Sequence, residues 1–178
     1  MKKYSIIIVF LLMLSVRFVA AQNIVSLEAA PFAVAFAYGL DYHPAHYTQL
    51  KSTMGFAWGN NIFMGPWHAW VYNFSVEQRY YYNMLKRQAK EKNTRNKSAN
   101  FFSIRPTYIH QVVFSTNELD NEANNGFYCP INWGLRRAIG NRFYFEGNLG
   151  AGPLYSVDDS SWGTLVNINI IFGVKLGK

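Results

Sequence analysis

Thr164-Leu165-Val166-Asn167-Ile168-Asn169-Ile170-Ile171-Phe172-Gly173-Val174-Lys175-Leu176-Gly177 is the stretch that decides the fold. Val166, Ile168, Ile170, Phe172, Val174 and Leu176 share one parity, and all of them are apolar. Leu165, Asn167, Asn169, Ile171, Gly173, Lys175 and Gly177 share the other, which is mixed and partly polar. Successive side chains of a strand point to opposite faces. The stretch therefore reads as a strand with one face toward an apolar medium and the other toward a polar interior.

The same alternation recurs upstream. Phe143, Phe145, Leu149 and Ala151 alternate with Tyr144, Glu146, Asn148 and Gly150, after a Gly140-Asn141 turn signal. Phe127, Cys129, Ile131, Trp133 and Leu135 alternate with Tyr128, Pro130, Asn132, Gly134 and Arg136, so Phe127 to Phe145 reads as a hairpin. Further strands are expected over Phe102–Tyr108, Tyr72–Tyr82 and Leu50–Trp58. Phe32–Tyr38 and Val25–Ala29 form a weaker pair, and Pro31 between them marks either a break or a bend in one long strand. The expected fold is all-β: a closed, antiparallel up-and-down transmembrane β-barrel of about eight strands.

The N-terminus carries an export pattern. Lys2-Lys3 precedes the apolar run Ile6–Leu14, and Val19 and Ala21 sit at −3 and −1 of a cut after Ala21. The run is shorter than the roughly 20 residues of a spanning helix, and Arg17 interrupts it. Residues 1–21 are thus expected to be a signal peptide and 22–178 the barrel domain. Losing Lys2, Lys3 and Arg17 lowers the formal charge of +7 by three, a balance that does not by itself point to nucleic acid. Aromatic residues make up 17% of the chain and charged residues 15%, against about 25% charged in ordinary soluble domains. Cys129 is the only cysteine, so no intrachain disulfide is available, and it reads as an inert apolar side chain.

With eight strands, both ends of the domain fall on one side, expected to be the periplasm. Asp41–His46, Met84–Ser98 and Gly140-Asn141 connect strands there; Asn60–Ala69, Phe114–Gly126 and Ser156–Gly163 connect them outside. Barrels of this kind keep periplasmic turns short, and Met84–Ser98 is the exception. It is strongly basic, with Lys86, Arg87, Lys90, Lys92, Arg95 and Lys97 against Glu91, and reads as a solvated, partly disordered turn. Its functional alternative is a patch for anionic headgroups or a periplasmic partner. The outer connections carry Glu118, Asp120 and Glu122, and Asp158 and Asp159, in no calcium-loop spacing; Asn60–Ala69 is more apolar, with Ile62, Phe63, Met64, Pro66 and Trp67.

The polar parity collects Glu28, Lys51, Glu77, Arg79, Arg105, Arg136 and Glu146. Side chains fill the interior of an eight-stranded barrel, and a buried charge left unpaired costs several kcal/mol. These residues are expected to form an ion-pair network that plugs the interior; a narrow pore or small polar pocket is the alternative. His43, His46, His68 and His110 lack the flanking ligands of a zinc site. His110, upstream of Ser115 and Glu118, fits no acyl-transfer spacing, and no phosphate-binding or dinucleotide motif occurs. No enzymatic activity, cofactor or metal is expected. Tyr80-Tyr81-Tyr82 at one level and Trp58, Trp67 and Trp70 at the other suggest interfacial aromatic girdles.

Two segments carry a resemblance. Glu77-Gln78-Arg79-Tyr80-Tyr81-Tyr82-Asn83 with Lys86-Arg87, and Asn132-Trp133-Gly134-Leu135-Arg136-Arg137 with Phe143-Tyr144-Phe145-Glu146-Gly147, resemble small outer-membrane β-barrel proteins of the Bacteroidetes type. The resemblance implies a barrel and an outer-membrane address, not an activity. Many such barrels end on an aromatic residue; here Lys175-Leu176-Gly177-Lys178 stands instead, so either Phe172 serves in its place or the insertion signal is weak. The expected protein is a structural or interaction-type outer-membrane barrel, exported through the periplasm. Its partners are outer-membrane lipids and the barrel assembly machinery, not nucleic acid. A narrow channel, a lipocalin-like binder of an apolar ligand and a lipid-modifying enzyme are the rivals.

Overall fold

The computed structural model describes residues 22–61, 65–115 and 123–176. The expected leader Met1–Ala21, the apolar Ile62, Phe63 and Met64, the acidic Glu118, Asp120 and Glu122, and Gly177 lie outside the described residues.

The chain is all-β and antiparallel. In order it forms β1 (Gln22–Ala30), β2 (Ala33–His43), β3 (His46–Asn61), β4 (Gly65–Tyr80), a short helix α1 (Met84–Ala89), β5 (Asn100–Ile104), β6 (Thr107–Ser115), β7 (Ala123–Tyr128), β8 (Ile131–Ile139), β9 (Phe143–Ser156) and β10 (Ser161–Leu176). β5 and β6 continue one line beside β4, and β7 and β8 continue one line beside β9. Taken so, the pairings return from β10 to β1 and make a ring of eight strands. Ala29↔Phe172 and Val25↔Leu176 bound the closing pairs.

Proline sets both interruptions. Pro106 and Pro130 have no backbone N–H to give to a ladder, and the sheet divides at Arg105-Pro106 and Cys129-Pro130. The freed groups are re-used across the break: Arg105 N–H donates to Pro130 O at 3.2 Å, and Val76 N–H to Pro106 O at 3.1 Å. The single strands expected over Phe102–Tyr108 and Phe127–Leu135 are therefore each two. Pro31 also resolves. It sits in a turn that closes a β1–β2 hairpin at Ala30↔Ala33.

Strand extends into all three expected outer loops. Asn60–Ala69 carries turn-forming residues, yet the β3–β4 ladder runs on through Gly59↔Trp67 and Asn60↔Pro66 to Asn61↔Gly65. β9 and β10 likewise stay paired to Ser156↔Ser161, leaving a four-residue turn at 157–160. β6 reaches Ser115 and β7 begins at Ala123. Continuous cross-strand pairing outweighs local turn propensity here.

Burial follows the parity. Ile168 is 79% exposed and Val166 68%, with Phe36, Phe74, Phe143 and Phe172 also exposed on the outside. Inside lie Glu28, Lys51, Glu77, Arg79, Arg136 and Glu146, all buried. Inward glycines make room for large side chains: a Cβ at Gly173 would come within 2.2 Å of the Tyr144 ring, and one at Gly39 within 2.3 Å of the Tyr47 ring. Tyr47, Tyr81, Met84, Ala99 and Phe101 form an apolar cluster that fills the end of the ring next to α1.

Candidate functional site

Six of the seven charges picked out from the sequence converge in the middle of the ring. Arg136 and Glu146 are direct cross-strand partners on β8 and β9. Glu77 and Arg79 lie two residues apart on β4, hence on one face. Arg79 reaches across the interior and holds Glu146 with Nη1–Oε2 at 2.7 Å and Nη2–Oε1 at 2.9 Å, while its Nη2 also donates to Glu77 Oε2 at 2.7 Å. Arg136 donates from Nε to Glu146 Oε2 at 2.7 Å, and its Nη2 lies 2.7 Å from the same oxygen. Glu28 pairs with Lys51 at 2.5 Å and faces Arg136 at 3.7 Å.

Neutral groups complete the network. Glu28 Oε1 accepts from Tyr144 OH at 2.6 Å and from Gln49 Nε2 at 3.0 Å. Ser103 Oγ donates to Glu77 Oε1 at 2.6 Å, and Asn148 Nδ2 to Glu146 Oε1 at 3.3 Å. The guanidinium of Arg79 stacks over Phe101 at 4.5 Å, and that of Arg136 over Tyr144 at 4.2 Å. Every carboxylate inside thus has at least one cation and one neutral donor, which is what ionised groups need when they leave water. Tyr144, Gln49, Ser103 and Phe101 were not singled out in the sequence, although all sit on the inward parity.

Arg105 stands apart. It is half-buried at the β5–β6 break, and its side chain makes no ion pair among the described residues. It lines a cavity of about 360 Å³ between the network and the end of the ring away from α1. Thr53, Asn73, Gln111, Asn167 and Asn169 share that wall.

The basic connection, expected as a solvated turn, carries two short helical elements. Lys86, Arg87, Lys90 and Lys92 lie on or just after α1; Arg95 and Lys97 lie in a single turn of 3-10 helix. Lys97 is buried. Its Nζ pairs with Asp41 at 2.5 Å and donates to His43 O at 2.9 Å and Pro44 O at 3.2 Å. Arg95 donates to Asn141 Oδ1 at 2.6 Å, and Arg87 to Asn93 O at 2.9 Å. The segment is pinned onto the neighbouring turns, and Lys86, Lys90 and Lys92 remain exposed.

The remaining candidates are absorbed by structure. His43 Nδ1 accepts the Ala45 N–H at 3.1 Å, and His110 Nδ1 lies 2.8 Å from Asn125 Oδ1. Asp158 accepts the Asn125 N–H, and Asp159 accepts the Ser156 hydroxyl at 3.0 Å. No group of His, Cys, Asp and Glu able to hold a metal occurs among the described residues. Of the tyrosine run, Tyr80 and Tyr82 face outward, whereas Tyr81 is buried. Tyr82 packs against Phe102 at 5.4 Å and accepts the Trp133 Nε1–H at 3.2 Å. Trp70, at the other level, is exposed and meets Phe56 at 5.5 Å.

In comparisons with known proteins the chain matches no family model, and no curated protein or solved structure shows significant similarity to it.

Proposed function

We propose that this chain is a small outer-membrane β-barrel of structural or interaction type, its interior sealed by an ion-pair network and its loops presented outside. The observation that carries the reading is the inversion of burial. Phe36, Phe74, Phe143, Val166, Ile168 and Phe172 are exposed around the ring, while Glu28, Glu77, Arg79, Arg136 and Glu146 are buried within it. Soluble monomers seldom expose an apolar patch larger than about 300–600 Å², and fully burying one such side chain is worth about 1.5–3 kcal/mol. A hydrocarbon surround makes this outer face favourable. A ring of strands satisfies its backbone groups without water, which is the requirement for β-structure in a bilayer.

The N-terminal export pattern supports the same address. An apolar-ligand carrier of lipocalin type would need a greasy interior, and the described interior is charged. A conducting pore would need a path past Arg79, Glu146 and Arg136, whose hydrogen bonds span the middle of the ring. Fractionation of the native protein tests the reading. The expected result is a membrane protein resistant to carbonate extraction, with different gel mobility before and after boiling. A soluble periplasmic protein with unchanged mobility would overturn it.

A further inference from the structure

We infer that the cavity beside Arg105 and a gap in the wall above the β1–β2 turn together hold one anionic single-chain amphiphile. Its carboxylate sits on Arg105, and its acyl chain leaves between β3 and β10. The inference rests on the bilayer reading above, since the chain must exit into lipid.

The gap comes from unequal strand lengths. The β1–β2 hairpin closes at Ala30↔Ala33. β3 continues past Gly55, the partner of Ala33, to Asn61. β10 begins at Ser161, but the described β1 pairs reach no farther than Ala29↔Phe172. No pairing joins β3 to β10 among the described residues. The wall is therefore lowered where β1 and β2 stop. A hollow of about 390 Å³ lies there, walled by Phe32, Phe56, Ile168 and Ile170. It shares Ala30, Ala33, Val71 and Asn169 with the interior cavity, so the two adjoin.

Charge fixes which end of the ligand goes in. Glu28, Glu77 and Glu146 are engaged by Lys51, Arg79 and Arg136. Arg105 is the inward cation with no ion pair among the described residues. It stands on the β5–β6 line, which is four strands from β1 in either direction round the ring, hence opposite the gap. A guanidinium fork matches a carboxylate, and Thr53, Asn73 and Asn167 offer further polar contacts in the same cavity. The apolar hollow leads outward from there, and a cavity of this size suits a small ligand.

The test uses the full chain reconstituted in phosphatidylcholine vesicles and a diazirine-bearing fatty acid, with the corresponding fatty alcohol as comparison. Peptide mass spectrometry maps the photo-crosslinks. The acid is expected to label the strands at Phe32, Phe56, Ile168 and Ile170. Arg105→Gln should lower that labelling about tenfold, as expected for losing one charge-assisted interaction. Ile168→Trp fills the hollow with Arg105 intact and should lower it as well, so the test does not hang on one variant. Heat-shifted gel mobility verifies that each variant is folded. Labelling spread evenly around the outer belt, equal labelling by the alcohol, or labelling unchanged in both variants would overturn the inference alone. A chain that fails to stay with the vesicles and shows no heat shift would overturn the bilayer reading and the inference with it.

Discussion

Arg79 on β4 and Glu146 on β9 meet through parallel hydrogen bonds of 2.7 and 2.9 Å, although their strands are not neighbours in the ring. The pair ties strands three apart round the ring together through the interior, where ladder hydrogen bonds cannot reach. Both side chains are fully buried, so the contact is not shared with water. Glu146 also serves Arg136, which makes one carboxylate the counter-ion of two guanidinium groups.

That sharing ranks the acidic residues. Glu146→Gln keeps the shape but leaves two buried cations short of charge, and breaking such a pair costs about 3–5 kcal/mol. Glu77→Ala removes a partner of Arg79 while Glu146 stays, and frees Ser103 Oγ; about 1–3 kcal/mol is expected. Urea titration of the heat-shifted gel band should give the order wild type, Glu77→Ala, Glu146→Gln from most to least stable. Equal midpoints for all three would remove the network as a source of stability.

Glu28 and Lys51 form a more separable pair, 2.5 Å apart on β1 and β3. Lys51→Met leaves Glu28 with the Tyr144 hydroxyl and the Gln49 amide as donors and with Arg136 at 3.7 Å. Glu28→Gln instead strands a buried ammonium, so it should be the worse single change. The double variant should lose less than the sum of the singles, with a coupling of about 0.5–3 kcal/mol. Strict additivity in the urea midpoints would show that the two do not act together.

The inward charge set was legible because period-two alternation sorts side chains by face without any knowledge of partners. Which charge meets which was not legible. Arg79 and Glu146 are brought together by ring closure, a relation absent from either local stretch. Arg105 shared the parity but lies at a proline break, where position along the ring, not parity, decides its surroundings. Lys97 looked like its basic neighbours; only the fold sets it beside Asp41 near the end of β2. The long Gly- and Asn-containing segments read as loops because turn propensity is local, whereas the β3–β4 and β9–β10 ladders that extend them are not.

Lys97 gives a prediction about the α1 end of the ring. Its ammonium anchors the basic connection to Asp41 and to the carbonyls of His43 and Pro44. Lys97→Met should loosen that segment and speed tryptic cleavage after Lys86, Arg87 or Lys90 in the folded protein. Lys92→Ala alters only an exposed side chain and should leave the cleavage rate at those sites as in wild type. Identical digestion of the two variants would contradict the anchoring role.

Ile168 separates a bilayer surround from water most directly. It lies on the outer face of β10, is 79% exposed and pairs with Leu149 of β9, which is also exposed. In a water-soluble ring Ile168→Arg would place a cation in solvent, and such surface changes usually stay within about 0.5 kcal/mol of wild type. On the lipid face of a barrel the same substitution costs about 2–4 kcal/mol near the midplane and much less near the headgroups. Asn167→Ser, the adjacent residue, turns inward and removes only the contacts of Asn167 with Tyr128 and Asn132. Urea unfolding in lipid vesicles should therefore show Ile168→Arg as the severe variant and Asn167→Ser as the mild one. A near-neutral Ile168→Arg would mean that Ile168 does not sit deep in hydrocarbon.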